Sequence, residues 1–303
     1  MRFAAIDIGS NAIRLLFCNV YEGENGTNFK KEELIRVPIR LGEDAFANQK
    51  ISQEKIEDFI KVMKAFRLLI DVNRPVDFRA CATSAMREAK NSTEILKRIK
   101  DEAGITVDLI EGSTEASLIY ANHIAEHLDR NSSYLYIDVG GGSTELTLFS
   151  RNKHVFSRSF NVGTVRMLNE QIDKNTWSNF KEWIKANTAD YQPLIAIGSG
   201  GNINKINKMA KGKSNKPLLK ETIEDIFNEL NSLTYKERIE LIGLKPDRAD
   251  VIIPASKIFL SVMKHAQITK IYVPEIGLAD GIIHQLYEKY KSSASDKVKA
   301  VSA

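Results

Sequence analysis

Two acids and the small residues that follow them carry the chemistry this chain could perform. Asp7 runs into Gly9-Ser10-Asn11, and Asp138 into Gly140-Gly141-Gly142-Ser143-Thr144. Successive N–H groups in turns of this composition make a concave nest for an anion, and the hydroxyls of Ser143 and Thr144 would add donors. An aspartate at the end of a buried strand can hold a hard divalent cation through oxygen, usually with water between. Each feature also has a plainer role. Glycines turn corners, and an aspartate beside a turn accepts backbone N–H bonds.

Repetition favours the chemical role. YLYIDVGGGSTELTLF, starting at Tyr134, lies over FAAIDIGSNAIRLLF, starting at Phe3, so that Asp138 falls on Asp7, Gly140 on Gly9 and Leu146 on Leu15. In each copy an apolar run ends in Asp, enters a turn of small residues and leaves through a second apolar run, which predicts a β-hairpin with an exposed backbone tip. If the halves share a fold, two tips could hold one phosphate from both sides. A third loop, Gly198-Ser199-Gly200-Gly201-Asn202, joins the apolar run 194–197 to a helix and would also point N–H groups outward.

Arg87 lies just past a predicted strand at 76–82, where sites gather in α/β sheets. Glu115 falls in the first turn of a helix opening at Gly112, where an acid complements the helix dipole whatever else it does. Glu145 alternates with Leu146 and Leu148 as an outward acid would. His123-Ile124-Ala125-Glu126-His127 spells a metalloprotease pattern, but a zinc site needs a third ligand and an open position. Two surface histidines one turn apart is the better reading.

The elements that must position these residues follow from periodicity. Strands are predicted at 3–8, 13–20, 29–41, 76–82, 105–109, 134–139, 144–150, 154–161, 194–197 and 271–273. Helices are predicted from a Ser52 cap, from an Asn91-Ser92-Thr93-Glu94 capping box to Gly104, over 112–128, from about Gly163, over 176–187, from Pro217 to near Ala266 with breaks at Gly243 and Pro246, and over 278–290. At 303 residues, 43% hydrophobic and 27% charged, the chain has material for two cores. The domains are set at 1–122 and 123–303, the last helix free to pack back on the first, with 291–303 a disordered tail. A net charge of +4 is too mild for a nucleic-acid binder but suits a locally basic groove. With no apolar run of about twenty residues and a strand at the start, the expectation is a cytoplasmic protein without signal or membrane span. Cys18 and Cys81 read as small hydrophobes rather than a disulfide.

IDIGSNAIRLL, ATSAMREAKN, GSTEASLIYAN, IDVGGGSTEL, SFNVGTVRM, GSGGNINKI and VPEIGLADGI, in this order, resemble the exopolyphosphatase and guanosine pentaphosphate phosphatase (Ppx/GppA) family in its short two-domain form. The resemblance runs from about Phe3 to Ile283. It implies an α/β fold of duplicated ribonuclease-H-like type, shared with actin, Hsp70 and sugar kinases, with the active site in an interdomain cleft. It implies that Glu115 positions or deprotonates the attacking water, that Glu145 is a second catalytic or metal-binding acid, and that Asp138 is a magnesium ligand, with Mn²⁺ as the other candidate ion. Arg14 and Arg87 match arginines expected near phosphate. The substrate would be polyphosphate or pppGpp, losing its terminal orthophosphate. The chain departs from the family pattern at Ala12, Thr114 and Ser117. A kinase of the same superfold and a non-catalytic sensor of polyphosphate or an alarmone are the rival readings, and a homodimer stays open.

Overall fold

The computed structural model describes residues 1–24, 26–120, 132–151, 153–212 and 216–301. The chain divides into two compact units, Met1–Asn122 with Leu278–Ala303, and His123–Gly277. The sequence-based second range, 123–303, thus includes a final helix that belongs to the first unit. The histidine pattern at 123–127 lies outside the described residues.

In the first unit the predicted hairpin forms from β1 (Arg2–Ile8) and β2 (Ile13–Gly23), and β3 (Gly26–Val37) completes an antiparallel meander. The chain then passes through α1 (Leu41–Asn48) and α2 (Gln53–Asn73) into β4 (Asp77–Ala82). It continues through α3 (Ser84–Glu88), α4 (Ser92–Ala103), β5 (Val107–Leu109) and α5 (Gly112–Tyr120). β4 and β5 add to β1 in parallel, giving the order β3-β2-β1-β4-β5.

The second unit repeats this plan. β6 (Ser133–Val139), β7 (Thr144–Ser150) and β8 (Lys153–Phe160) form the meander. After α6 (Thr164–Leu168) and α7 (Lys174–Thr188), β9 (Leu194–Ser199) pairs with β6 in parallel and leads into α8 (Gly201–Met209). There follow β10 (Leu218–Leu219), α9 (Lys220–Ser232), α10 (Tyr235–Glu240), α11 (Pro246–Ala249), α12 (Ile252–His265) and β11 (Lys270–Tyr272). Read from its meander edge the sheet runs β8-β7-β6-β9-β11, the order of the first sheet, with β10 added beyond β11. This is the duplicated ribonuclease-H-like α/β fold expected from the resemblance.

Each sheet buries apolar residues beneath helices. Leu135, Ile137, Leu146 and Leu148 share a core with Phe180 of α7 and Phe259 of α12. In the first unit Phe3, Ala5, Leu16 and Cys18 pack with Ile282, Ile283, Leu286 and Tyr287 of α13 (Leu278–Val301). Burial pushes the Cys18 thiol up to about 11 and the Cys81 thiol up to about 12, as expected of cysteines serving as hydrophobes.

Four local readings are corrected. The strand expected over 29–41 ends at Val37, and α1 forms over Leu41–Asn48, where no helix was predicted. Asn91 makes no side-chain cap, because its amide exchanges hydrogen bonds of 3.1 and 2.9 Å with the backbone of Ile51. The helices after Pro217 break additionally at Thr234, which forms a capping box with Glu237. The expected tail is helix as far as Val301, with Ser292 and Ser293 bonding back to the carbonyls of Glu288 and Lys289. Among the described residues no helix is long and apolar enough to cross a membrane.

Candidate functional site

The first unit gathers its candidates at the carboxyl ends of its parallel strands. Gly9 N–H bonds to the Ala12 carbonyl across the hairpin tip, while the carbonyls of Ser10 and Asn11 accept from Gly42 at 2.8 Å and Arg40 at 3.1 Å. The start of α1 therefore holds the tip from one side. Gly42 permits this, because a side chain there would run into Ser10 and Phe46. The Ser10 hydroxyl is buried against that of Ser84, 3.0 Å away. Arg14 pairs with Asp7 at 2.5 Å, so the cation at Asp7 is a guanidinium. A metal would have to compete with it.

Beside the tip, Thr83 N–H bonds to the carbonyl of Ile8, and Ile110 N–H to that of Ala82, so β4 hands the chain directly to α3 and β5 to α5. Arg87 on α3 donates to the Ile110 carbonyl at 2.5 Å and lies 4.0 Å from the Glu115 carboxylate on α5. Arg87 and Glu115, 28 residues apart in number, are thereby neighbours, both largely shielded from solvent.

In the second unit the glycine tip is anchored by its carbonyls. Those of Gly140 and Gly141 accept from Thr164 and Val165 at 3.0 and 2.8 Å, and that of Gly142 from the Arg166 side chain at 2.7 Å. A trans peptide points its N–H opposite the preceding C=O, so the N–H groups of Gly141, Gly142 and Ser143 face away from α6. A row of donors on one side of the tip results. Gly163 is required for this arrangement, since any β-carbon there would overlap the backbone of Gly141 and Gly142.

The hydroxyls behave differently from the backbone. Thr144 was expected to donate to phosphate, but its side chain is fully buried and donates to the Val162 carbonyl at 2.5 Å. Ser199 likewise spends its hydroxyl on the Ile276 carbonyl at 3.0 Å. Gly198 lies within β9, where a side chain would strike Ile271 and Ile203, so its smallness serves packing. Of that third loop Gly200 remains a site candidate. Its φ of 101° suits only glycine, and a β-carbon there would sit 3.1 Å from the Asp138 carboxylate.

Asp138 and Glu145 stand directly opposite each other on β6 and β7. Like charges in this position repel. Glu145 is only 4% exposed, and its carboxylate accepts from the Ser159 hydroxyl at 2.8 Å. Two carboxylates suit Mg²⁺ or Mn²⁺, hard ions that take one or two protein oxygens and fill the remaining positions with water and substrate phosphate. Among the described residues no three His, Cys, Asp or Glu side chains converge as a complete cage.

The sequence reading missed Ser84, Ser159, Gly163 and Arg166. The last three fall within SFNVGTVRM, and that motif was their only signal.

A model described as the Ppx/GppA phosphatase family matches residues 31–290. The chain is 31% identical to the bifunctional 3-dehydroquinate synthase/phosphatase of Fusobacterium nucleatum over 86% of its own length, and spans 43% of that protein. It is 22% identical to exopolyphosphatase 1 of Mycobacterium tuberculosis, over 93% of this chain and 87% of that one. The solved Ppx/GppA family member of Aquifex aeolicus superposes with a TM-score of 0.74 at 25% identity, covering 96% of this chain and 98% of its own. The hairpin tips, the twice-used sheet order and the family match agree, and the chain belongs to the Ppx/GppA phosphatase family.

Proposed function

We propose that the protein is a phosphohydrolase releasing terminal orthophosphate from inorganic polyphosphate or guanosine pentaphosphate by in-line attack of water. The observation that carries this reading is the row of N–H donors facing away from α6 at Gly141, Gly142 and Ser143, on the turn that joins the opposed Asp138 and Glu145 of β6 and β7. Family membership and the exopolyphosphatase relative support the substrate class.

Phosphoryl transfer passes through a loose transition state whose equatorial oxygens need donors and whose nucleophile needs alignment. The tip amides would hold those oxygens, preorganised because α6 fixes the carbonyls behind them. Asp138 and Glu145 would hold Mg²⁺ or Mn²⁺, which neutralises phosphoryl charge when bound. In the first unit Arg14, Arg87 and the tip amides of Ser10 and Asn11 are assigned to phosphate binding, while the Gly9 amide closes the tip on the Ala12 carbonyl. Asp7 then acts through Arg14 rather than as a metal ligand, and Glu115 orients the water. Free thiols at Cys18 and Cys81 accord with a cytoplasmic setting.

The test is phosphate release measured in parallel on long polyphosphate, pppGpp, ATP and pyrophosphate, with Mg²⁺ and with chelator. Release from one of the first two, abolished by chelator and by Glu115→Ala in a normally folded protein, is expected. Near-full turnover by Glu115→Ala removes Glu115 from the mechanism, and equal feeble rates on all four substrates remove the substrate assignment.

A further inference from the structure

We propose that Ser159 is the positioning residue that aims the Glu145 carboxylate, and so sets metal affinity in the second unit. The inference rests on the reading of Glu145 as a metal-holding acid. β7 lies between β6 and β8, and the register places Asp138, Glu145 and Ser159 in one row across the three strands. Ser159 Oγ donates to Glu145 Oε1 at 2.8 Å. Because β8 is on the far side of β7 from β6, this bond draws the glutamate away from Asp138. Repulsion between the acids is eased, and the carboxylate is held in one orientation before any cation arrives. Partners of this kind commonly change metal affinity or activity 10- to 100-fold when removed.

The first unit supplies an internal comparison. Its equivalent row across β1, β2 and β3 is Asp7, Arg14 and Arg36. There Arg14 neutralises the aspartate directly, and no hydroxyl stands in the row. The hydroxyl occurs in the row that holds two acids, where it bonds one of the two carboxylates.

Ser159 is not what attaches β8 to its neighbour. One step along the same strand pair, the Ser157 hydroxyl meets Thr147 at 3.0 Å and His154 at 2.9 Å. Removing the Ser159 hydroxyl should therefore leave the sheet intact.

The experiment compares Ser159→Ala, Ser159→Thr and Ser159→Val, the last two nearly equal in shape and differing in the hydroxyl. Mn²⁺ binding to the full chain is measured by calorimetry without substrate, alongside thermal unfolding in chelator and the Mn²⁺ dependence of phosphate release. Ser159→Ala and Ser159→Val are expected to bind Mn²⁺ at least about tenfold more weakly at unchanged metal-free unfolding temperature, with Ser159→Thr close to the parent. Affinity of Ser159→Val within twofold of Ser159→Thr overturns the proposal. Glu145→Gln separates the two levels. If it loses Mn²⁺ binding while Ser159→Ala does not, only the role of Ser159 fails. If Glu145→Gln binds Mn²⁺ like the parent, or the parent binds none, the metal reading itself falls and the proposal with it.

Discussion

Backbone direction, more than side-chain chemistry, makes the glycine tip an anion surface. With the Gly140, Gly141 and Gly142 carbonyls taken up by α6 and Arg166, the intervening amides have one way to point. Gly163 lets α6 approach closely enough for this, and a methyl group there has nowhere to go. Gly163→Ala is therefore expected to cost roughly 1–3 kcal/mol, as overpacking does, and to displace the tip. Phosphate release should fall at least about tenfold while helix content by circular dichroism stays native. Unchanged turnover would mean that the tip does not hold the reacting phosphoryl. The tip's composition predicted the turn but misassigned the Thr144 hydroxyl. Turn residues declare how a backbone bends, whereas the partner of a hydroxyl depends on what folds over it, here Val162, 18 residues further on.

At the scale of elements, the unforeseen α1 is what steadies the other tip. It is hard to see in sequence because its entry residue Arg40 is in the left-handed region at φ 58° and offers no side-chain cap. Its amides bind the Ser10 and Asn11 carbonyls, and its own position is fixed by Asp44, which accepts from the Ser52 amide at 2.9 Å and pairs with Lys55 at 3.0 Å. Burial pushes the Asp44 carboxyl up, but the bonds from Ser52 and Lys55 outweigh it and hold the carboxyl below its ordinary value. A depressed carboxyl stabilises the fold above its unfolded pKa, and that stabilisation is lost as pH falls through the folded pKa. Asp44→Asn should thus lower the urea midpoint at neutral pH, with the difference from the parent shrinking in acid. A difference independent of pH would show that the ionised form contributes nothing. The hairpins and parallel strands were legible because alternation and apolar runs are local. Asn91 was misread because its capping-box pattern is local too, while its partner Ile51 lies 40 residues away.

For the whole molecule, chain order and spatial order part company at α13. After completing the second unit the chain returns a helix to the first, where Leu278, Ile282, Ile283, Leu286 and Tyr287 bury against the Phe3, Leu16 and Cys18 face of the sheet. Tyr287 also donates to Glu22 at 2.6 Å, and Lys31 pairs with Asp280 at 2.8 Å. The apolar spacing of such a helix announces that it packs, yet names no partner, so its membership could not be read from periodicity. Five large side chains at about 1.5–3 kcal/mol each amount to about 10 kcal/mol, as much as the net stability of a typical domain. A chain ending at Gly277 should therefore lose the first unit while keeping the second. Hydrogen exchange is expected to show β1 and β4 amides unprotected, with β6, β9 and α12 still protected. Native protection of β1 in the shortened chain would mean that the first sheet closes its core without the returning helix.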